Sequence, residues 1–199
     1  MIYVNQLENA HVMYACNVAN DTPDKEFLHH STLDRTGCGI CSALMVADRL
    51  RVDPDFSMKE ALQISYDTGA NHAAGTDYKL YGPAFAEKFD LKFVMTSDIE
   101  EVKHCVRTGG AVVANVGGDR EGYIGVFTHG GHYVVVISET EDGRLCILDP
   151  SLKPGKFEEE GRVGKVQVVG KFCYCEPEVL RMDAANRDPS FYCFWRKEG

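Results

Sequence analysis

The chain has 199 residues, of which 44% are hydrophobic and 26% charged, and its formal net charge is -9. That length supports one domain with a sizeable core, and the acidic balance, offset by no local Lys/Arg cluster, argues against a nucleic-acid binder. No apolar run approaches the roughly 20 residues of a membrane-spanning helix. The opening MIYVNQLENA carries no secretion signal, so a soluble cytoplasmic protein is expected.

Taken in chain order, the segment 8–35 is polar and long for a connection, a length that often goes with function. Helical spacing starts at or just after Cys38, with Ile40, Ala43, Leu44, Ala47 and Leu50 on one face. Ser57 is a natural N-cap for a second helix, SMKEALQISYDTG, with Glu60 completing a capping box and Gly69 ending it. A third helix is expected from about Tyr78 to Phe89. A fourth is capped by Ser97 or Asp98 and runs through Ile99, Val102, Cys105 and Val106 to Gly109-Gly110.

Beyond Gly110 the pattern becomes that of strands: 111–116, 132–138, 144–149, 165–174 and 191–195, with a short helix at 176–186 before the last. Helices first and antiparallel strands second give an α+β fold. The expected organisation is one domain, 1–199, with a helical part at about 38–109 and a β part at about 110–199. No internal repeat or low-complexity segment interrupts it.

The eight cysteines are too few for a disulfide scaffold. Cys105, Cys146 and Cys193 lie in apolar runs and read as small buried hydrophobes in a reduced protein. The stretch Thr36 to Val46, TGCGICSALMV, holds Cys38 and Cys41 in a Cys-x-x-Cys spacing. A redox site would follow a buried strand, which HHSTLDRTG is not. A zinc site would need a second pair of ligands, for which Cys173 with Cys175, or His129 with His132, are the available residues.

A nucleophile meets more of its own requirements here. A thiolate needs a low pKa, and a helix N-terminus supplies partial positive charge and free N–H groups. Gly37 and Gly39 are expected to let the backbone turn sharply around it. His132 follows two glycines at the mouth of the apolar strand YVVVI and suits the base role. Asp149, ending the next strand, suits the role of orienting the ring. With the TEDG turn centred between Glu141 and Asp142, Val134 faces Asp149 and His132 lies diagonal to it on the same face. A register slip of one residue would separate them. His129 competes for the base role from the loop FTHGG.

At these residues the chain resembles the papain-fold cysteine peptidases related to the double-glycine leader peptidases of bacteriocin exporters, and in particular their stand-alone relatives. YVNQLEN, TGCGICSALMVADRL, GTDYKLYGPAFAEKFDLKF, GGAVVANVG and THGGHYVVVISETEDGRLCILDPS carry the resemblance, with a weaker match at FYCFWR. It implies a papain-like fold with Cys38 as nucleophile, His132 as base and acid, and Asp149 as orienter. It also implies Gln6 as a donor to the oxyanion. One departure is Ile40, where relatives carry Pro after the Gly-Cys-Gly block.

The expected function is hydrolysis of a peptide or amide bond through a thioester, on a peptide or protein substrate, with no metal or organic cofactor. The alternatives are a catalytically silent peptide-binding domain of the same fold and a Cys-x-x-Cys redox or zinc module. An amidase or acyl transferase would use the same triad. The acidic loop KFEEEGR (156–162) could shape or block the cleft. Substrate identity and oligomeric state are not legible at this level.

Overall fold

The computed structural model describes residues 1–15, 31–72 and 74–197. Most of the segment 8–35 that the sequence marks as functional lies at 16–30, outside the described residues.

The helices form where periodicity and capping place them. A short helix α1 (Leu33–Thr36) leads through Gly37 into α2 (Cys38–Leu50). Helix α3 (Met58–Thr68) begins with the expected capping box, Ser57 N–H donating to Glu60 Oε2 at 3.0 Å and Glu60 N–H to Ser57 Oγ at 3.4 Å. It ends at Gly69 in the left-handed region, φ 69°. Helix α4 (Tyr78–Lys88) is capped by Asp77, and α5 (Ile99–Arg107) by Asp98 rather than Ser97.

Seven strands make one antiparallel sheet in the order β3-β9-β4-β5-β6-β8-β7. These are β3 (Leu91–Thr96), β4 (Ala111–Val116), β5 (His132–Glu139), β6 (Leu145–Leu148), β7 (Gln167–Val169), β8 (Phe172–Cys175) and β9 (Phe191–Arg196). A separate two-stranded ribbon pairs β1 (Asn71–His72) with β2 (Gly75–Thr76). Helix α6 (Pro177–Asp183) precedes β9.

Alternation along the strands splits the core in two. Val113, Val135, Leu148 and Phe194 face the layer built from α2, α3 and α4. Val112, Val134, Val136, Ile147 and Cys193 face α5 and α6 on the other side. The α+β class is as expected from the sequence. The clean division into a helical half and a sheet half is not. β3 lies before Gly110 yet pairs with β9 at the sheet edge, and α5 covers the opposite face from its predecessors. As an edge strand, β3 has no fully buried residue after Leu91, only exposed and half-buried ones, which blurs the alternation that would have revealed it. The expected strand at 165–174 is a hairpin, with Gly170 at φ 60° turning β7 into β8. Among the described residues no helix is long and apolar enough to cross a membrane.

Candidate active site

Cys38 is the first residue of α2 and is 8% exposed. The glycines beside it have a different purpose from the one the sequence suggests. Gly37 has φ -86° and ψ 6°, which any residue adopts. A Cβ there would lie 2.5 Å from the Leu33 carbonyl oxygen, and one on Gly39 would lie 2.6 Å from Thr76 Cβ. They permit close approach of α1 and β2 to the helix start, not a sharp turn. Tyr78 holds the same corner, its hydroxyl donating to the Gly39 carbonyl at 2.8 Å.

His132 opens β5 and is 6% exposed. Its Nε2 lies 2.8 Å from Asp149 Oδ1 and 3.0 Å from Ser151 Oγ. With that nitrogen occupied, the other side of the ring serves Cys38. Burial alone would raise the Cys38 pKa, but the hydrogen bond and charge of His132, with backbone hydrogen bonds from Tyr133 and Gly39, bring it below the ordinary thiol value. Burial would lower the His132 pKa, and Asp149 and Cys38 together raise it. The two shifts favour the thiolate–imidazolium pair over the neutral one.

Asp149 follows β6 and is completely buried. Burial pushes its carboxyl up, while the charge of Lys156 and the hydrogen bond from His132 pull it well below the usual carboxylate range. Lys156 donates to Asp149 Oδ2 at 2.5 Å and to Ser151 Oγ at 2.7 Å, and Ser151 N–H donates to Asp149 Oδ1 at 2.9 Å. Lys156 is itself only 5% exposed. It belongs to the loop that reads as acidic in the sequence. That loop turns Lys156 and Arg162 inward, and Arg162 donates to the Gly125 carbonyl at 2.8 Å.

Gln6 is buried beside this group, its N–H bonded to the Pro150 carbonyl at 2.7 Å. Its Nε2 donates to the Asp34 carbonyl at 2.8 Å, which uses one of two amide protons. The structure therefore sets Gln6 against the segment leading into Cys38, though Gln6 does not line the cavity that contains the thiol. His129 stands apart, exposed and held between Asp119 and Glu159 at 2.9 Å each. Cys41 is fully buried, and desolvation followed by the charge of Cys38 pushes its thiol up to about 12. Cys38 and Cys41 are both free thiols, and no three His, Cys, Asp or Glu among the described residues gather as a metal site.

Cys38 and His132 line a cavity of about 240 Å³ with Thr76, Asp77, Asn115 and Arg187. Among the described residues, three larger clefts, of about 390, 700 and 990 Å³, contain neither Cys38 nor His132. Size does not select the site, whereas the convergence of mutually shifted ionisable groups on a cavity does.

The residues sequence reasoning missed are Lys156 and Ser151. The motif LDPSLKPGK holds both, but nothing in their spacing signals that a turn will return the lysine to Asp149.

No family model matches the sequence, and no curated protein matches it. Among solved structures, a protein from Bacillus anthracis provisionally assigned as a C39-like peptidase is similar with a TM-score of 0.54 at 13% identity, over 83% of this chain and 91% of that chain. The likeness is one of fold: this chain shares the mixed α+β architecture of that protein.

Proposed function

We propose that the chain is a cysteine peptidase. Cys38, already ionised against His132, attacks the carbonyl carbon of a peptide bond. The tetrahedral oxyanion accepts a hydrogen bond from the Cys38 N–H, which has no intrahelical partner at the first helical position, while Gln6 steadies the segment leading into Cys38 through its bond to the Asp34 carbonyl. His132 gives its proton to the leaving amine, and the C–N bond breaks to leave a thioester on Cys38. Water then loses a proton to His132 and attacks the thioester, releasing the acid and restoring the thiolate. Asp149 holds the ring with its Nε2–H toward the carboxylate, so that the other nitrogen faces sulfur and substrate. Lys156 keeps Asp149 ionised and in place.

The observation that carries this reading is geometric: Cys38 at the head of α2 and His132 at the start of β5 line one cavity, and the His132 ring is held 2.8 Å from the buried Asp149 carboxylate. The shared fold supports it independently. Labelling with iodoacetamide and hydrolysis of a peptide library, compared between Cys38→Ala and Cys41→Ala, tests it. Cys38→Ala should abolish both, and Cys41→Ala should retain both. Hydrolysis surviving in Cys38→Ala would refute the mechanism.

A further inference from the structure

Arg187 lies in the cavity with Cys38 and His132. No described residue accepts a hydrogen bond from its guanidinium or forms an ion pair with it, and its Nε is buried without a partner. His72 lines the same cavity, and its Nε2 is likewise buried without a partner. The nearby carboxylate, Asp77, is engaged as the cap of α4, accepting from Lys79 N–H at 2.9 Å.

The position of Arg187 is fixed. Its segment is pinned by Ser190 Oγ, which donates to the Arg187 carbonyl at 2.8 Å and to the Ala184 carbonyl at 3.0 Å. The neighbouring Asn186 fills the space over Gly117, donating to its carbonyl at 3.3 Å. A Cβ on Gly131 would lie 2.9 Å from Arg187 Nη2, so the absence of a side chain next to His132 leaves room for the guanidinium. A planar fork of donors, partly withdrawn from water and left unpaired, is matched by a carboxylate.

We infer that Arg187 is a specificity determinant that binds a carboxylate carried by the substrate within a few atoms of the scissile carbonyl, with His72 as a second hydrogen-bonding group. The inference rests on the reading of Cys38 as nucleophile. Two sources share this chemistry: the terminal carboxylate of a short substrate, and an acidic side chain within a longer one.

Matched alkylating probes test it without knowledge of the natural substrate. N-iodoacetylglycine against N-iodoacetylglycinamide reads a terminal carboxylate, and N-iodoacetylaspartic α-amide against N-iodoacetylasparaginamide reads a side-chain one. Plain iodoacetamide measures the thiol itself. In the native protein at least one acid should label Cys38 about tenfold faster than its amide partner, as expected for one charge-assisted pair. Arg187→Gln should remove that preference, and Arg187→Lys should keep part of it. Each acid-to-amide ratio divides out any change in thiol reactivity. Ratios that do not differ between the native protein and Arg187→Gln for either pair would overturn the inference. Failure of iodoacetamide to label Cys38 would instead overturn the nucleophile reading beneath it.

Discussion

Cys38 and Cys41 lie one turn apart on the same helix, and both are buried, yet burial governs only one of them. Around Cys41 burial and the neighbouring Cys38 both act to raise its pKa. Around Cys38 desolvation is outweighed by His132 and by backbone hydrogen bonds from Tyr133 in β5 and Gly39 at the helix start. The aspartates repeat the contrast. Asp149 and Asp183 are both fully buried. Asp183 is fixed mainly by neutral donors, the N–H groups of Val126 at 2.6 Å and Phe127 at 2.9 Å, and burial raises its pKa. Asp149, between a lysine and a histidine, is lowered. All four groups are buried, and the charge of the partner sets the direction of each shift.

The largest expected break in this contrast comes from His132→Ala. Without the imidazole, only backbone hydrogen bonds oppose burial at Cys38, and its thiol should ionise close to or above the free value of about 8.5. Iodoacetamide labelling of Cys38 near pH 6 should fall by about 100-fold or more, since the thiolate fraction sets the rate. In the native protein the labelling profile should rise at a pH well below that free value. Turnover should fall again as His132 loses its proton, above its ordinary value of about 6.5, giving a bell.

Lys156→Met tests the Asp149 corner and should act mainly on stability. Breaking a buried ion pair by removing one partner costs about 3–5 kcal/mol, which urea unfolding at neutral pH measures. Asp149 is depressed in the folded state, so its contribution is present above the unfolded carboxylate value of about 3.9 and is lost as pH falls through the folded value. In Lys156→Met the folded value rises toward the unfolded one. The gain in stability as pH rises toward about 4 should then shrink relative to the native protein.

The smallest effect is expected at Cys41. Cys41→Ser places a hydroxyl without an evident partner in a fully buried site, and should cost about 1–3 kcal/mol while the pH profile of Cys38 labelling keeps its shape. A profile that shifted as far as in His132→Ala would mean that the two thiols act together.

Much of the site is legible in the sequence because it depends on local rules. A Cys at the head of a periodic helix, a His opening an apolar strand and an Asp closing the next can each be read from spacing. Their meeting is less local. Thr140 N–H bonds to the Arg144 carbonyl at 2.8 Å, and near the turn the ladder pairs Ser138 with Cys146, one residue out of step with the register expected from TEDG. An irregularity between Val136 and Ser138 restores the step, so that Val135 pairs with Leu148. Continued by one residue, that register sets Val134 opposite Asp149 and leaves His132 on the same face. The sequence-derived register at the site was therefore right, although the turn that was to produce it is not.

The sequence by itself determined the α+β class, the caps and ends of α3, and the order of Cys38, His132 and Asp149 along the chain. These follow from periodicity and capping, which act over a few residues. Only the tertiary structure decided that β3 joins the sheet edge, that Gly37 and Gly39 are needed for close packing, and that Lys156 returns to Asp149. It alone placed Arg187 beside the thiol. Contacts of that kind join residues far apart in the chain, and they depend on how helices and sheet pack, which no local pattern encodes.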